Sequence, residues 1–157
     1  HTNLDAAAGG VNDLLAGALG LTDALPAEEN GIERTGVLPE PLALPEFLAR
    51  VKAALRPNGI RYVDGGRPVR RVAVGGGACG DFFPQAAALG CDTFVTADVK
   101  YHQFVEAQAM GLSLIDAGHF PTENLICPEL LAALGRRFPA LELRQSSCHR
   151  EVIQYYL

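Results

Sequence analysis

Leu112-Ser113-Leu114-Ile115-Asp116-Ala117-Gly118-His119-Phe120-Pro121-Thr122-Glu123 reads as a strand, a turn and the start of a helix. Residues 112–115 form the short apolar run that a buried strand needs. Asp116 and Gly118 end it, and Pro121 suits the first helical position, where a missing N–H costs nothing. The same unit recurs upstream. Residues 69–74 and 93–96 read as strands; residues 81–89 and 101–110 read as helices. Downstream, 122–138 continues as helix and 141–143 as a last strand. This β-α-β-α-β-α-β order calls for parallel strands with right-handed crossovers and helices on the faces. The expected fold is α/β, three-layer in type, on a parallel or mixed sheet.

Residues 1–70 are less regular. Residues 10–21 place Val11, Leu14, Leu15, Ala18 and Leu19 on one helical face. Pro26, Asn30 and Gly31 mark 22–31 as loop. Residues 32–38 read as a strand, after which Pro39, Pro41 and Pro45 interrupt the chain. A helix over 45–55 buries Phe47, Leu48, Val51, Ala54 and Leu55. Residues 60–63 form a short strand. The apolar tail 152–156 either adds a strand or packs on a partner.

At 157 residues the chain is one domain, with 1–70 as its first part and 71–157 carrying the site motifs. No apolar run reaches the roughly 18 residues a membrane span requires. A net charge of −5 argues against non-specific nucleic-acid binding. Cys79, Cys91, Cys127 and Cys148 show no C-x-x-C spacing and read as buried thiols of a reducing, cytoplasmic setting. The chain starts at His1, inside what looks like a motif, which suggests a piece of a longer protein.

Three groups of chemically capable residues follow successive strands, at the carboxyl ends where open α/β sheets place ligands. His119 and Glu123, four apart, make half a site for a divalent ion; alternatively they are a surface histidine and a first-turn carboxylate favoured by the helix dipole. In the second group, Asp98 is suited to orient a histidine, Lys100 to stabilise negative charge, and His102 to act as general acid or base. Their plainer reading is a helix cap followed by solvated side chains. The third, Gly75-Gly76-Gly77-Ala78-Cys79-Gly80, matches G-x-G-x-x-G. It is expected to be a packing turn facing the site, with a dinucleotide cradle as the competing reading.

Taken together, Val72-Ala73-Val74-Gly75-Gly76-Gly77, Thr96-Ala97-Asp98-Val99-Lys100-Tyr101-His102 and Asp116 to Glu123 resemble the NIF-three-like family. These are dinuclear-metal toroidal hexamers often named GTP cyclohydrolase I type II homologues. His1-Thr2-Asn3-Leu4-Asp5-Ala6-Ala7, with Gly9-Gly10-Val11-Asn12, resembles the family's H-T-x-x-D segment. The likeness spans essentially the whole chain but only about the last two-thirds of a family protein. The upstream segment with two adjacent histidines has no match.

The resemblance implies that Asp5, His119 and Glu123 are metal ligands. His1 and Asp116 stand beside them, and Asp98, Lys100 and His102 form a catalytic wall of the same cavity. Ala97 replaces a more usual Gly, and Phe120 a more usual Tyr. The implied cofactors are two divalent ions per intact chain (Zn, Mn or Fe), roughly 3.5–4 Å apart, activating water for hydrolysis. This chain alone would hold one ion or none. The implied substrate is a small guanine nucleotide or another phosphoester, and the implied assembly is a homo-hexamer. A non-catalytic metal-binding scaffold is the opposing expectation.

Overall fold

The computed structural model describes residues 1–27 and 31–156. Six strands form one mixed sheet: β1 (Thr22–Pro26), β2 (Arg34–Leu42), β3 (Arg61–Val63), β4 (Val69–Val74), β5 (Thr93–Thr96) and β6 (Ser113–Asp116), in the order β1-β2-β4-β5-β6-β3. β4, β5 and β6 are parallel, with Val95 beside Val74 on one side and Ile115 on the other. β1, β2 and β3 pair antiparallel to their neighbours.

Alternation along the central strands feeds two cores. Val72, Val74, Val95 and Ile115 face α2 (Val11–Ala18) and α3 (Leu44–Leu55), packing with Leu15, Leu19, Phe47 and Val51. Ala73, Phe94 and Leu114 face the opposite way, onto α4 (Phe83–Ala88) and α5 (Tyr101–Ala109), with Phe83, Ala86, Phe104 and Ala107. The result is three layers. Both crossover helices of the parallel unit lie on one face, as same-handed crossovers require.

Several local expectations need correction. Residues 22–26, expected as loop, form the edge strand β1, whose side chains are mostly exposed. An edge strand is held by main-chain pairing and tolerates Pro26, so it lacks the apolar alternation that reveals strands. Asn30 lies outside the described residues. β2 does not stop before its prolines: its ladder with β4 is regular from Arg34 to Val37 and resumes at Leu42. Pro39 and Pro41 fall in the irregular stretch between, where no ladder donor is missed.

The expected helix over 122–138 is two helices, α6 (His119–Glu123) and α7 (Ile126–Arg137). Pro128 cannot donate to the Asn124 carbonyl, so a continuous helix breaks there; Cys127 N–H reaches that carbonyl instead, at 3.2 Å. Pro121 accordingly occupies the third position of α6, not the first.

Residues 141–143 are not a strand. The place beside β6 belongs to β3, which arrives antiparallel from earlier in the chain, so a strand there would have no edge to join. The tail 152–156 adds no strand either. It passes the turn that follows α3, where Asn58 Nδ2 donates to the Ile153 carbonyl at 2.6 Å. The short N-terminal helix α1 (Thr2–Ala6) buries no residue and so carries no apolar pattern. The four thiols are not all buried: Cys91 is, Cys79 and Cys127 are half-buried and Cys148 is exposed, because the last two lie on and beyond α7, outside both cores. Among the described residues no helix is long and apolar enough to cross a membrane.

Candidate functional site

At the carboxyl ends of β4, β5 and β6 three turns meet. The β4 turn carries Gly75, Gly76 and Gly77, and its amides point into the protein. Gly75 N–H bonds the Val95 carbonyl at 3.0 Å and Cys79 N–H bonds that of Gly77 at 2.9 Å. Gly76 N–H bonds Asn12 Oδ1 at 2.7 Å, and Gly77 N–H bonds Thr122 Oγ1 at 3.0 Å. Donors engaged this way do not cradle a pyrophosphate. The turn instead packs under the site. Gly77 has φ +65°, and a Cβ there would stand 2.3 Å from Glu123 Oε1 and 3.2 Å from His119 Nε2. Only glycine lets the backbone lie so close beneath that pair.

Asp98, on the β5 turn at φ +53°, and His119, opening α6, meet across the sheet edge. Asp98 Oδ2 lies 2.7 Å from His119 Nδ1. His119 Nε2 lies 3.2 Å from Glu123 Oε1, one helical turn on. The imidazole thus bridges two carboxylates. Burial pushes its pKa down, but the hydrogen bond it donates to Asp98 and the charge of Glu123 outweigh this, and the pKa sits above its ordinary value. Nε2 and Glu123 Oε1 are the donor pair that would hold a divalent cation. Asp98 fixes the ring so that Nε2 is the nitrogen presented, as carboxylates behind metal-bound histidines do.

Asp116 supports the two turns from below. Its buried carboxylate accepts from Val99 N–H at 3.1 Å, Gly118 N–H at 3.1 Å and the Arg61 guanidinium. It thereby fixes the turns bearing Asp98 and His119 without facing the cavity.

His119 and Glu123 border a cavity of about 320 Å³ that is also lined by His1, Asp5, Glu33, Cys79 and Asp81. His1 and Asp5 therefore line the same cavity as the C-terminal pair. Burial raises the Asp5 pKa, opposed by the nearby N-terminus and His119. Among the described residues no three His, Cys, Asp or Glu groups already stand close enough together to hold a metal ion. The fit to a cation is a two-point bite with Asp5 facing the same space. Lys100 lies in a neighbouring cavity of about 220 Å³ with Asp81, Asp98 and Gln103. His102 is exposed on the first turn of α5 and lines neither cavity.

Three contributors were not singled out as site residues: Glu33, Asn12 and Thr122. Glu33 stands beside Arg34 at the head of β2, where two adjacent charges read as surface. Asn12 entered only as the last residue of the Gly9 to Asn12 stretch. Thr122 carried no signal beyond its place between Pro121 and Glu123.

The Asp98 contact gives a direct test. In the metal-free chain His119 is expected to titrate above about 6.5, and Asp98→Asn is expected to lower that value, read from the imidazole proton shifts. Because the folded pKa is raised, the stabilisation is complete below the unfolded value and is lost as pH rises through the folded one. An unchanged His119 titration in the variant would remove Asp98 from the site.

A family model described as Duf34/NIF3 (NGG1p interacting factor 3) matches residues 1–151. A Nostoc protein named GTP cyclohydrolase 1 type 2 homolog is 38% identical over 141 residues, covering 85% of this chain and 54% of the relative. A Streptomyces coelicolor protein of the same name is 41% identical over 145 residues, covering 85% and 50%. The chain thus spans about half the length of these curated relatives. In fold it is similar to the crystal structure of a Bacillus cereus protein related to NIF3, with a TM-score of 0.85 at 21% identity over 99% of this chain and 72% of that one.

Proposed function

The chain belongs to the Duf34/NIF3 (NGG1p interacting factor 3) family, and from that membership we propose that it is part of a metal-dependent hydrolase acting on a small nucleotide. The observation that carries this is the His119 Nε2 to Glu123 Oε1 pair at 3.2 Å, backed by Asp98 on Nδ1. His119, Glu123 and Asp5 would hold a divalent cation such as Zn, Mn or Fe, the ions suited to mixed nitrogen and oxygen donors. Such ions, two in the intact site, supply the Lewis acidity that hydrolysis at neutral pH needs.

The chain's own groups do the rest. Asp98 holds the imidazole in one tautomer. Gly77 keeps the floor of the site open. Lys100, in the adjoining cavity, is placed to meet a negatively charged part of the substrate. His102, exposed on α5, receives no role. The name shared by the curated relatives favours a guanine nucleotide, with ring opening and formate release; a phosphoester suits the same cations.

We also infer assembly into a homo-oligomer, a ring of six, in the reducing setting its free thiols suit. No residue of α7 is buried, and Leu130, Leu134 and Phe138 are exposed along it. An apolar helix face of that kind is what interfaces cover. Light scattering that finds only monomers of the intact protein would end the ring.

A second reading is a non-catalytic metal-binding scaffold, since the His119 and Glu123 pair would hold an ion whether or not a substrate is turned over. A screen of nucleotides and phosphoesters with Zn²⁺ or Mn²⁺ added to the full chain separates the two. Formate or phosphate release that depends on the metal and on His119 is the expected result. Metal uptake with no turnover of any compound would leave the scaffold.

A further inference from the structure

Glu33 is buried, at 6% exposure, and its Oε2 has no hydrogen-bond partner. Such an atom is rare in a folded protein, because a buried acceptor without a donor loses its hydration for nothing in return. The neighbouring guanidinium does not relieve it. Arg34 is bonded to Asp13 and to the carbonyls of Ala6, Gly31 and Ile32. Glu33 lines the same cavity as Asp5, Asp81, Glu123 and His119, and no lysine or arginine lines it. Its stem packs by Gly75 and Cys79, where a Cβ on Gly75 would lie 3.3 Å from Glu33 Cγ. The electrostatics agree: burial, then the charges of Glu33, Asp5 and Glu123, push the Cys79 thiol up to about 12.

Four carboxylates face one cavity, one of them buried with an orphaned oxygen, and the only cationic groups among its lining residues are the His119 imidazole and the amino end at His1. We propose that Glu33 is a further cation-holding carboxylate of this cavity, its Oε2 reserved for a divalent metal ion at the inner end. The assignment rests on reading the cavity as a cation site, and adds to it a residue from the head of β2. Glutamate oxygen is a hard donor. Glu33 would thus bias the site toward Mn²⁺ over softer ions.

The test is Mn²⁺ titration by calorimetry on the full chain and on Glu33→Gln, Glu33→Asp and His119→Ala, with thermal unfolding of each without metal. Glu33→Gln is expected to weaken Mn²⁺ binding about tenfold or more while leaving the metal-free chain at least as stable. Should that variant fold poorly, Glu33→Asp, which keeps the charge but withdraws it by one methylene, is expected to show the same loss. Affinities within twofold of the parent in the folded Glu33 variants, with binding reduced in His119→Ala, would overturn the role of Glu33 and leave the site reading standing. No Mn²⁺ uptake by the parent chain would overturn both.

Discussion

His119→Ala is expected to lower divalent-metal affinity by more than about a hundredfold, because changes one shell further out already cost about ten- to a hundredfold. The side chain is 45% exposed, so its removal opens little of the core and the unfolding temperature of the metal-free chain should barely move. Glu123→Ala should act in the same direction. It removes the carboxylate half of the bite and leaves the Asp98 contact to His119 in place. Elemental analysis of both variants alongside the parent decides the matter. Equal metal content in all three would end the metal reading of this cavity.

Arg34→Met is expected to destabilise the chain by about 3–5 kcal/mol. Its side chain is only 3% exposed and faces the Asp13 carboxylate. It also donates to the carbonyls of Ala6, Gly31 and Ile32. Methionine fills much of the volume but satisfies none of these acceptors, and it leaves Asp13 without its guanidinium. Urea unfolding measures the loss; a change below about 1 kcal/mol would show that solvent replaces the lost bonds. Metal affinity should fall as well, because the bond to Ala6 ties the end of α1 to β2, and α1 carries Asp5.

The parallel core was legible because each of its strands and helices announces itself locally. Val72, Val95 and Ile115 sit in short apolar runs bounded by glycine or aspartate, and the helices between them show one apolar face. β1 was not legible, since its partner β2 defines it and its own side chains do not. The neighbour of β6 was also hidden. Tyr62 pairs with Ile115, more than fifty positions away in sequence, and nothing in either segment names the other. In the site, His119 and Glu123 were visible through helical spacing, and Asp98 through the density of polar groups after β5. Glu33 became visible only when its neighbours in space were known, because an unpaired carboxylate is a property of surroundings. The actual role of Asp116, bracing two turns through their amides, likewise belongs to the folded chain.

The glycine turn after β4 has a consequence in time. Its amides wait on side chains from opposite ends of the chain: Gly76 on Asn12, 64 positions earlier, and Gly77 on Thr122, 45 positions later. A ribosome delivers the first partner long before the second. Asn12 is available when Gly76 emerges, while the Gly77 amide stays unclaimed until α6 has been made and docked. That same docking sets His119 and Glu123 over the turn. A nascent or prematurely ended chain lacking α6 therefore has the sheet without the His119 and Glu123 pair, and the proposed cation site would be completed late in synthesis.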